Sequence, residues 1–209
     1  RCIRSRLDAA GYTKTKIVVS NSLDEYLIRD LLSQGACIDT FGVGERLITS
    51  RSEPVFGGVY KLCAVEDGAG KILPKIKISE NVAKITTPHF KKLWRFFDPN
   101  GMAIADVLSL HNETIDESQP FELFHPEFTW KKKVISNFTV KQLLQPIFQN
   151  GKLVYDVPSL SEVCKYSADC VAHLWDEVKR FDNPHDYYVD LTRPLWEIKQ
   201  KMLAGHGQL

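Results

Sequence analysis

Two short stretches hold residue types suited to binding an anion: Ser20-Asn21-Ser22 and Gly42-Val43-Gly44. Hydroxyl and amide side chains donate hydrogen bonds, and glycines let backbone N–H groups approach a phosphate with no Cβ in the way. Each stretch stands where a β-branched run ends and a turn toward a helix begins. In parallel sheets and barrels that edge carries ligands, because its loops and helix N-termini expose unpaired N–H groups. Consecutive loops after the last two strands of a barrel are a common phosphate site. The plainer alternative is that Gly42 and Gly44 only permit a tight turn, since a lone G-x-G carries little information.

Cations are the next requirement. Lys61 lies inside a β-branched and aromatic run at residues 59–65, where a lysine ordinarily projects into solvent from a strand edge. The alternative is a flexible point charge on a phosphate. Lys75 and Lys77, two apart, share a strand face and pose the same choice. His125 before Pro126 and His185 after Pro184 read as turn or packing residues. No Ser-His-Asp arrangement can be assembled, so no catalytic residue is assigned. Five cysteines without a C-x-x-C pair read as reduced, mostly buried thiols, and six histidines without an H-x-x-x-H pattern suggest no structural zinc.

The elements that must position these groups follow from spacing. Ile3, Leu7 and Ala10 predict a helix ending at Gly11, already under way at residue 1, which reads as a cut inside a larger fold. Residues 16–20 predict a buried strand. Ser22 and Glu25 fit a capping box opening a helix that stops at Gly35, and residues 37–41 predict a second strand parallel to the first. Residues 59–65 and 71–79 flank Asp67-Gly68-Ala69-Gly70 as a hairpin. A second hairpin turns at Asp98-Pro99-Asn100-Gly101, and residues 121–125 and 128–135 add strands, so this part reads as antiparallel β. The last third reads as helical. A capping box at Ser159 and Glu162 opens a helix running to Phe181, and Thr192 caps a final helix with Leu195, Ile198 and Met202 inward.

Composition narrows the function classes. With 209 residues, 44% hydrophobic, 25% charged and a net charge of +1, this is an ordinary globular composition. That balance argues against non-specific nucleic-acid or membrane binding, and Lys91-Lys92 and Lys131-Lys132-Lys133 read as solvated strand or loop ends. No apolar run approaches the ~20 residues that span a bilayer, and no signal peptide is recognisable.

Residues 17–25, Ile-Val-Val-Ser-Asn-Ser-Leu-Asp-Glu, resemble the strand of the nicotinate phosphoribosyltransferase family usually written S-N-D-L-D-E. Residues 35–44 and 57–62 are similar to its next two signatures. Residues 75–80 with 86–88, and residues 183–191 near the end, continue the likeness in order. The resemblance implies a type II phosphoribosyltransferase of α/β class (α+β within this chain). The last strands of an irregular α/β barrel with phosphate-binding loops would fill residues 1–57, and an antiparallel β-rich part residues 58–135. A C-terminal helical region at 136–209 would pack on both. It also implies a cytoplasmic enzyme of NAD biosynthesis that joins nicotinate and phosphoribosyl pyrophosphate into nicotinate mononucleotide and pyrophosphate. ATP hydrolysis through a transient phosphohistidine, with Mg²⁺, would drive the reaction in a homodimer with shared active sites.

Carried over by position, Ser20 and Asn21 approach the ribose 5′-phosphate, and Gly42, Val43 and Gly44 offer it backbone N–H groups. Lys61 corresponds to a phosphate contact from the neighbouring subunit, with Arg51 and Lys77 as weaker candidates. Ser22 stands where the family commonly has Asp, and Glu45 where a Thr commonly meets the phosphate. The Glu45 carboxylate is therefore expected to turn away and pair with Arg46 or Arg51. Gly44→Val is expected to block the approach and to disfavour a positive φ. The family's phosphohistidine, its nicotinate-reading arginine and its acidic ribose motif precede this region, so the missing N-terminal part of the same enzyme must supply them. The alternative is a non-catalytic phosphate-binding or dimerisation module derived from that family.

Overall fold

The computed structural model describes residues 1–55 and 57–206, in two compact units, Arg1–Val59 and Tyr60–Leu209. The first unit runs α1 (Cys2–Ala9), β1 (Val18–Ser20), α2 (Glu25–Ser33), β2 (Thr40–Gly42) and α3 (Glu45–Ile48). As expected, β1 and β2 pair in parallel, Val18 opposite Thr40 and Ser20 opposite Gly42. Asp39 pins this register: its carboxylate accepts from the Ile17 backbone N–H at 2.8 Å and pairs with Lys16. The same two partners hold its carboxyl below the usual carboxylate range. Helix α2 stops where the sequence places the stop. Gly35 has φ +71°, its N–H reaches the Leu32 carbonyl, and the Ala36 N–H reaches that of Leu31, a Schellman closure. Helix α3 closes the same way with Ser50 in the left-handed position at φ +45°.

Two expectations for this unit fail. The capping box at Ser22 does not form: Asn21 and Ser22 are left-handed at φ +92° and +52°, so the chain is still turning there. Helix α2 starts three residues later, and Asp24 caps it by accepting from the Leu27 N–H at 2.9 Å. Strand β1 is not buried either, with Val18 64% exposed. A two-stranded ribbon has too little face to bury its side chains, and Leu23 is the one buried side chain among the described residues of this unit.

The second unit opens with the hairpin β3 (Ala64–Glu66) and β4 (Ile72–Pro74), then β5 (Lys91–Phe97) and β6 (Ala103–Leu110). A second pair follows, β7 (Phe121–Phe124) and β8 (Lys132–Ile135), then β9 (Thr139–Gln142), and a small ribbon of β10 (Phe148–Gln149) and β11 (Lys152–Leu153). Helix α4 (Leu160–Ala172), β12 (Val189–Leu191) and α5 (Arg193–His206) complete it. The main sheet has the order β12-β6-β5-β9, with β12 parallel to β6 and the other pairs antiparallel. Both predicted hairpin turns form. In the second, Asp98 Oδ1 accepts from the Asn100 and Met102 N–H groups at 2.9 Å, the reason aspartate suits that turn.

The core gathers Phe96, Ala105, Val107, Leu123, Ile135 and Phe138. Phe96 is fully buried, with its ring centroid 4.9 Å from Phe121 and 5.0 Å from Phe138. Burying one such side chain stabilises by roughly 1.5–3 kcal/mol. On the opposite face Arg95 forks onto Asp106 at 2.8 and 2.9 Å, and the Tyr187 hydroxyl donates to the same carboxylate at 2.9 Å. Hydrogen bonding to Asp106 pushes the Arg95 pKa up, and burial does the same to Tyr187.

Several predicted boundaries move. Residues 59–63 and 75–79 form no strand, so Lys61, Lys75 and Lys77 lie on irregular backbone. The region from 136 onward is not uniformly helical, since it holds β9 to β12. The capping box at Ser159 and Glu162 is present, but α4 ends at Ala172 rather than near Phe181. There the His173 carbonyl accepts from the Ala103 N–H at 2.8 Å and its Nδ1 reaches the Gly101 carbonyl at 2.7 Å. This tie to the β5–β6 turn ends the helix. Thr192 precedes α5, but its hydroxyl goes to Glu113 at 2.9 Å; Leu195 behind it is fully buried as expected. The cysteines are free yet not buried: Cys2, Cys37 and Cys164 are exposed, and Cys63 and Cys170 half-buried. Cys2 and Cys37 belong to the unit with almost no interior, and Cys164 to a helix that buries no side chain.

Candidate phosphate-binding edge

Strands β1 and β2 end side by side, with Ser20 directly opposite Gly42. The two glycines of the following loop differ in kind. A Cβ on Gly42 would lie 3.1 Å from the Ser20 Cβ, a tight contact that would push the two strand ends apart by a few tenths of an ångström. A Cβ on Gly44 would meet no heavy atom within 4 Å, which leaves that face of the loop open. The expected positive φ at Gly44 is not found; its φ is −123°. Its value to an incoming anion is therefore space rather than a left-handed turn.

Beyond Ser20 the chain passes through Asn21 and Ser22, both exposed and both left-handed. Asparagine tolerates that region, whereas Ser22 pays on the order of 1 kcal/mol. Strain of this kind in a loop at a sheet edge motivates a functional reading. Ser20, Asn21, Gly42, Val43, Gly44 and Glu45 are thus brought to one edge of the parallel pair. Arg51 follows α3, and its N–H reaches the Arg46 carbonyl at 3.1 Å.

One contact at this edge escaped the sequence reading, the pairing of Asp24 with Arg46. Asp24 caps α2 through one carboxylate oxygen and forms an ion pair with Arg46 through the other. Arg46 is thereby committed to Asp24, so of the two bases expected to pair with Glu45, Arg46 and Arg51, the first is engaged elsewhere. The Arg46 Nε is buried without a hydrogen-bond partner. Asp24 is legible in principle, as a good cap residue three before Leu27, but no local pattern marks Arg46 as its partner.

Lys61 and Lys77 belong to the second unit. The Lys61 ammonium donates to the Lys84 carbonyl, and the Lys77 carbonyl accepts from the Thr86 N–H at 3.3 Å. Among the described residues no three His, Cys, Asp or Glu side chains assemble as metal ligands, and no helix is long and apolar enough to cross a membrane.

Fold and edge together define a mixed α/β protein with a candidate anion site where two parallel strands end. Residues 90–199, more than half of the chain, match the model of the nicotinate phosphoribosyltransferase C-terminal domain. The chain is 40% identical over 201 residues to the nicotinate phosphoribosyltransferase of Bacillus subtilis, covering 96% of this chain and 41% of that protein. It is 33% identical over 191 residues to the Caenorhabditis elegans nicotinate phosphoribosyltransferase, covering 90% and 33%. The crystal structure of human nicotinic acid phosphoribosyltransferase superposes with a TM-score of 0.67 at 22% identity, over 97% of this chain and 36% of the human one. The chain belongs to the nicotinate phosphoribosyltransferase family. It spans about two fifths or less of the length of these relatives.

Proposed function

We propose that this chain is the phosphate-holding part of an enzyme that converts nicotinate and phosphoribosyl pyrophosphate into nicotinate mononucleotide and pyrophosphate, driven by ATP hydrolysis, in the cytoplasmic synthesis of NAD. Family membership supports the reaction, and the pairing of Ser20 with Gly42 at a shared strand end carries the assignment of the site. On this reading β1 and β2 are the last strands of a phosphoribosyltransferase barrel. Ser20 and Asn21 hydrogen-bond the ribose 5′-phosphate, and the backbone of residues 42–44 approaches it through the open face beside Gly44. The chemical task is to hold a ribosyl centre that develops positive charge while pyrophosphate leaves, so fixed donors and correct placement dominate. Lys61, with Arg51 and Lys77 as lesser contributors, supplies positive charge toward phosphate, Lys61 acting across a homodimer.

Mg²⁺ and ATP belong to the family reaction. The described residues of this chain offer no cluster of three His, Cys, Asp or Glu side chains for a metal. The phosphohistidine and the nicotinate-reading arginine are assigned to the rest of the enzyme.

Calorimetric titration of the full-length enzyme with phosphoribosyl pyrophosphate tests the cradle. Gly44→Val, which fills the open face, abolishes binding. Glu45→Gln, at an exposed carboxylate, costs less than tenfold or about 1.4 kcal/mol. Tight binding by Gly44→Val, or complete loss in Glu45→Gln, refutes it.

A further inference from the structure

We infer that the ion pair between Asp24 and Arg46 is the positioning element that holds the two phosphate loops at their working separation, an inference that rests on the function proposed above. Asp24 opens α2 directly after the Ser20–Ser22 turn, and Arg46 lies in α3 directly after the Gly42–Gly44 loop. The pair therefore bridges the two chain segments just past the last paired residues, Ser20 and Gly42.

Among the described residues of this unit little else sets that separation. Strand pairing ends at Ser20 and Gly42, and the next residues on one side are left-handed Asn21 and Ser22. Leu23 is the single buried side chain among the described residues of the unit, so this chain's own apolar packing offers little resistance to the loops drifting apart. The ionic contact is partly shielded, with the side chains of Arg46 and Asp24 30% and 19% exposed. A charge-assisted contact of that kind outlasts an open surface pair. The Arg46 Nε, buried with no hydrogen-bond partner, leaves Asp24 as the acceptor that holds this guanidinium. Asp24 also accepts the Leu27 N–H, so one carboxylate fixes the helix start and the neighbouring loop together.

The two jobs separate by mutation, because asparagine caps a helix about as well as aspartate but cannot form the ion pair. In the full-length enzyme, steady-state kinetics of Asp24→Asn and Arg46→Gln should show KM for phosphoribosyl pyrophosphate raised about tenfold or more, as misplacing a binding group demands. KM for nicotinate should stay within about twofold, and the double variant should be no worse than either single one, the signature of two groups acting as a unit. Asp24→Asn should keep its thermal midpoint, since the cap survives; should Arg46→Gln fold poorly, Arg46→Lys, which keeps the charge but not the planar guanidinium, takes its place with a smaller rise. An unchanged KM for phosphoribosyl pyrophosphate in an active variant overturns the inference, as does additivity of the two substitutions. A lowered KM overturns it too, by showing that a freed Arg46 binds phosphate directly. If the parent enzyme makes no nicotinate mononucleotide, the proposed function itself falls and the inference with it.

Discussion

Asp190 stands on the edge strand β12 opposite fully buried Val107 and is itself only 4% exposed. Burial pushes its carboxyl from 3.8 up to about 6. The folded protein thus holds this proton more tightly than the unfolded chain. Between those two values the folded state carries the extra proton, so stability falls as pH rises through the window and stays lowered above it. The change in proton affinity is roughly a hundredfold, which amounts to about 3 kcal/mol at neutral pH. Asp190→Asn removes the titration while keeping size and polarity. Urea unfolding followed by tryptophan fluorescence at pH 4 and pH 7.5 measures the consequence. The variant should exceed the parent by up to about 3 kcal/mol at the higher pH, with the gap closing toward zero at the lower one. A variant less stable than the parent at pH 7.5, or a gap that ignores pH, refutes the argument that an ionised Asp190 is a burden on the fold.

Ser50→Gly should stabilise the first unit by about 1 kcal/mol, since it relieves a left-handed side-chain residue at the end of α3; urea unfolding checks the sign. Lys61→Ala should weaken phosphoribosyl pyrophosphate binding by ~1.5–3 kcal/mol in the full-length enzyme and leave the KM of nicotinate nearly alone. Equal Michaelis constants in parent and variant would make Lys61 only the partner of the Lys84 carbonyl. The 209-residue chain by itself should form no nicotinate mononucleotide from nicotinate, phosphoribosyl pyrophosphate, ATP and Mg²⁺ above a no-protein control. Clear turnover would mean that its own residues suffice for catalysis.

What could be read directly from the residues was local. The Asp98 turn, the Ser159 and Glu162 capping box and the Gly35 helix stop each depend on groups within a few positions, so sequence spacing states their geometry. The parallel pairing of β1 and β2 followed too, because a strand, helix and strand joined by short turns have essentially one right-handed way to close. The family was legible because its signatures are short contiguous runs. Tertiary structure decided the rest. It stopped α4 at Ala172 by spending the His173 carbonyl on Ala103, a residue 70 positions away, and it added β12 in parallel to β6. It moved the α2 cap from Ser22 to Asp24 and gave that carboxylate to Arg46 rather than leaving the arginine for Glu45. It also separated Gly42, where a Cβ would crowd Ser20, from Gly44, which faces open space, although both stand in the same three-residue motif. Each of these outcomes turns on which distant group occupies a shared volume or accepts a shared hydrogen, and no periodicity along the chain encodes that competition.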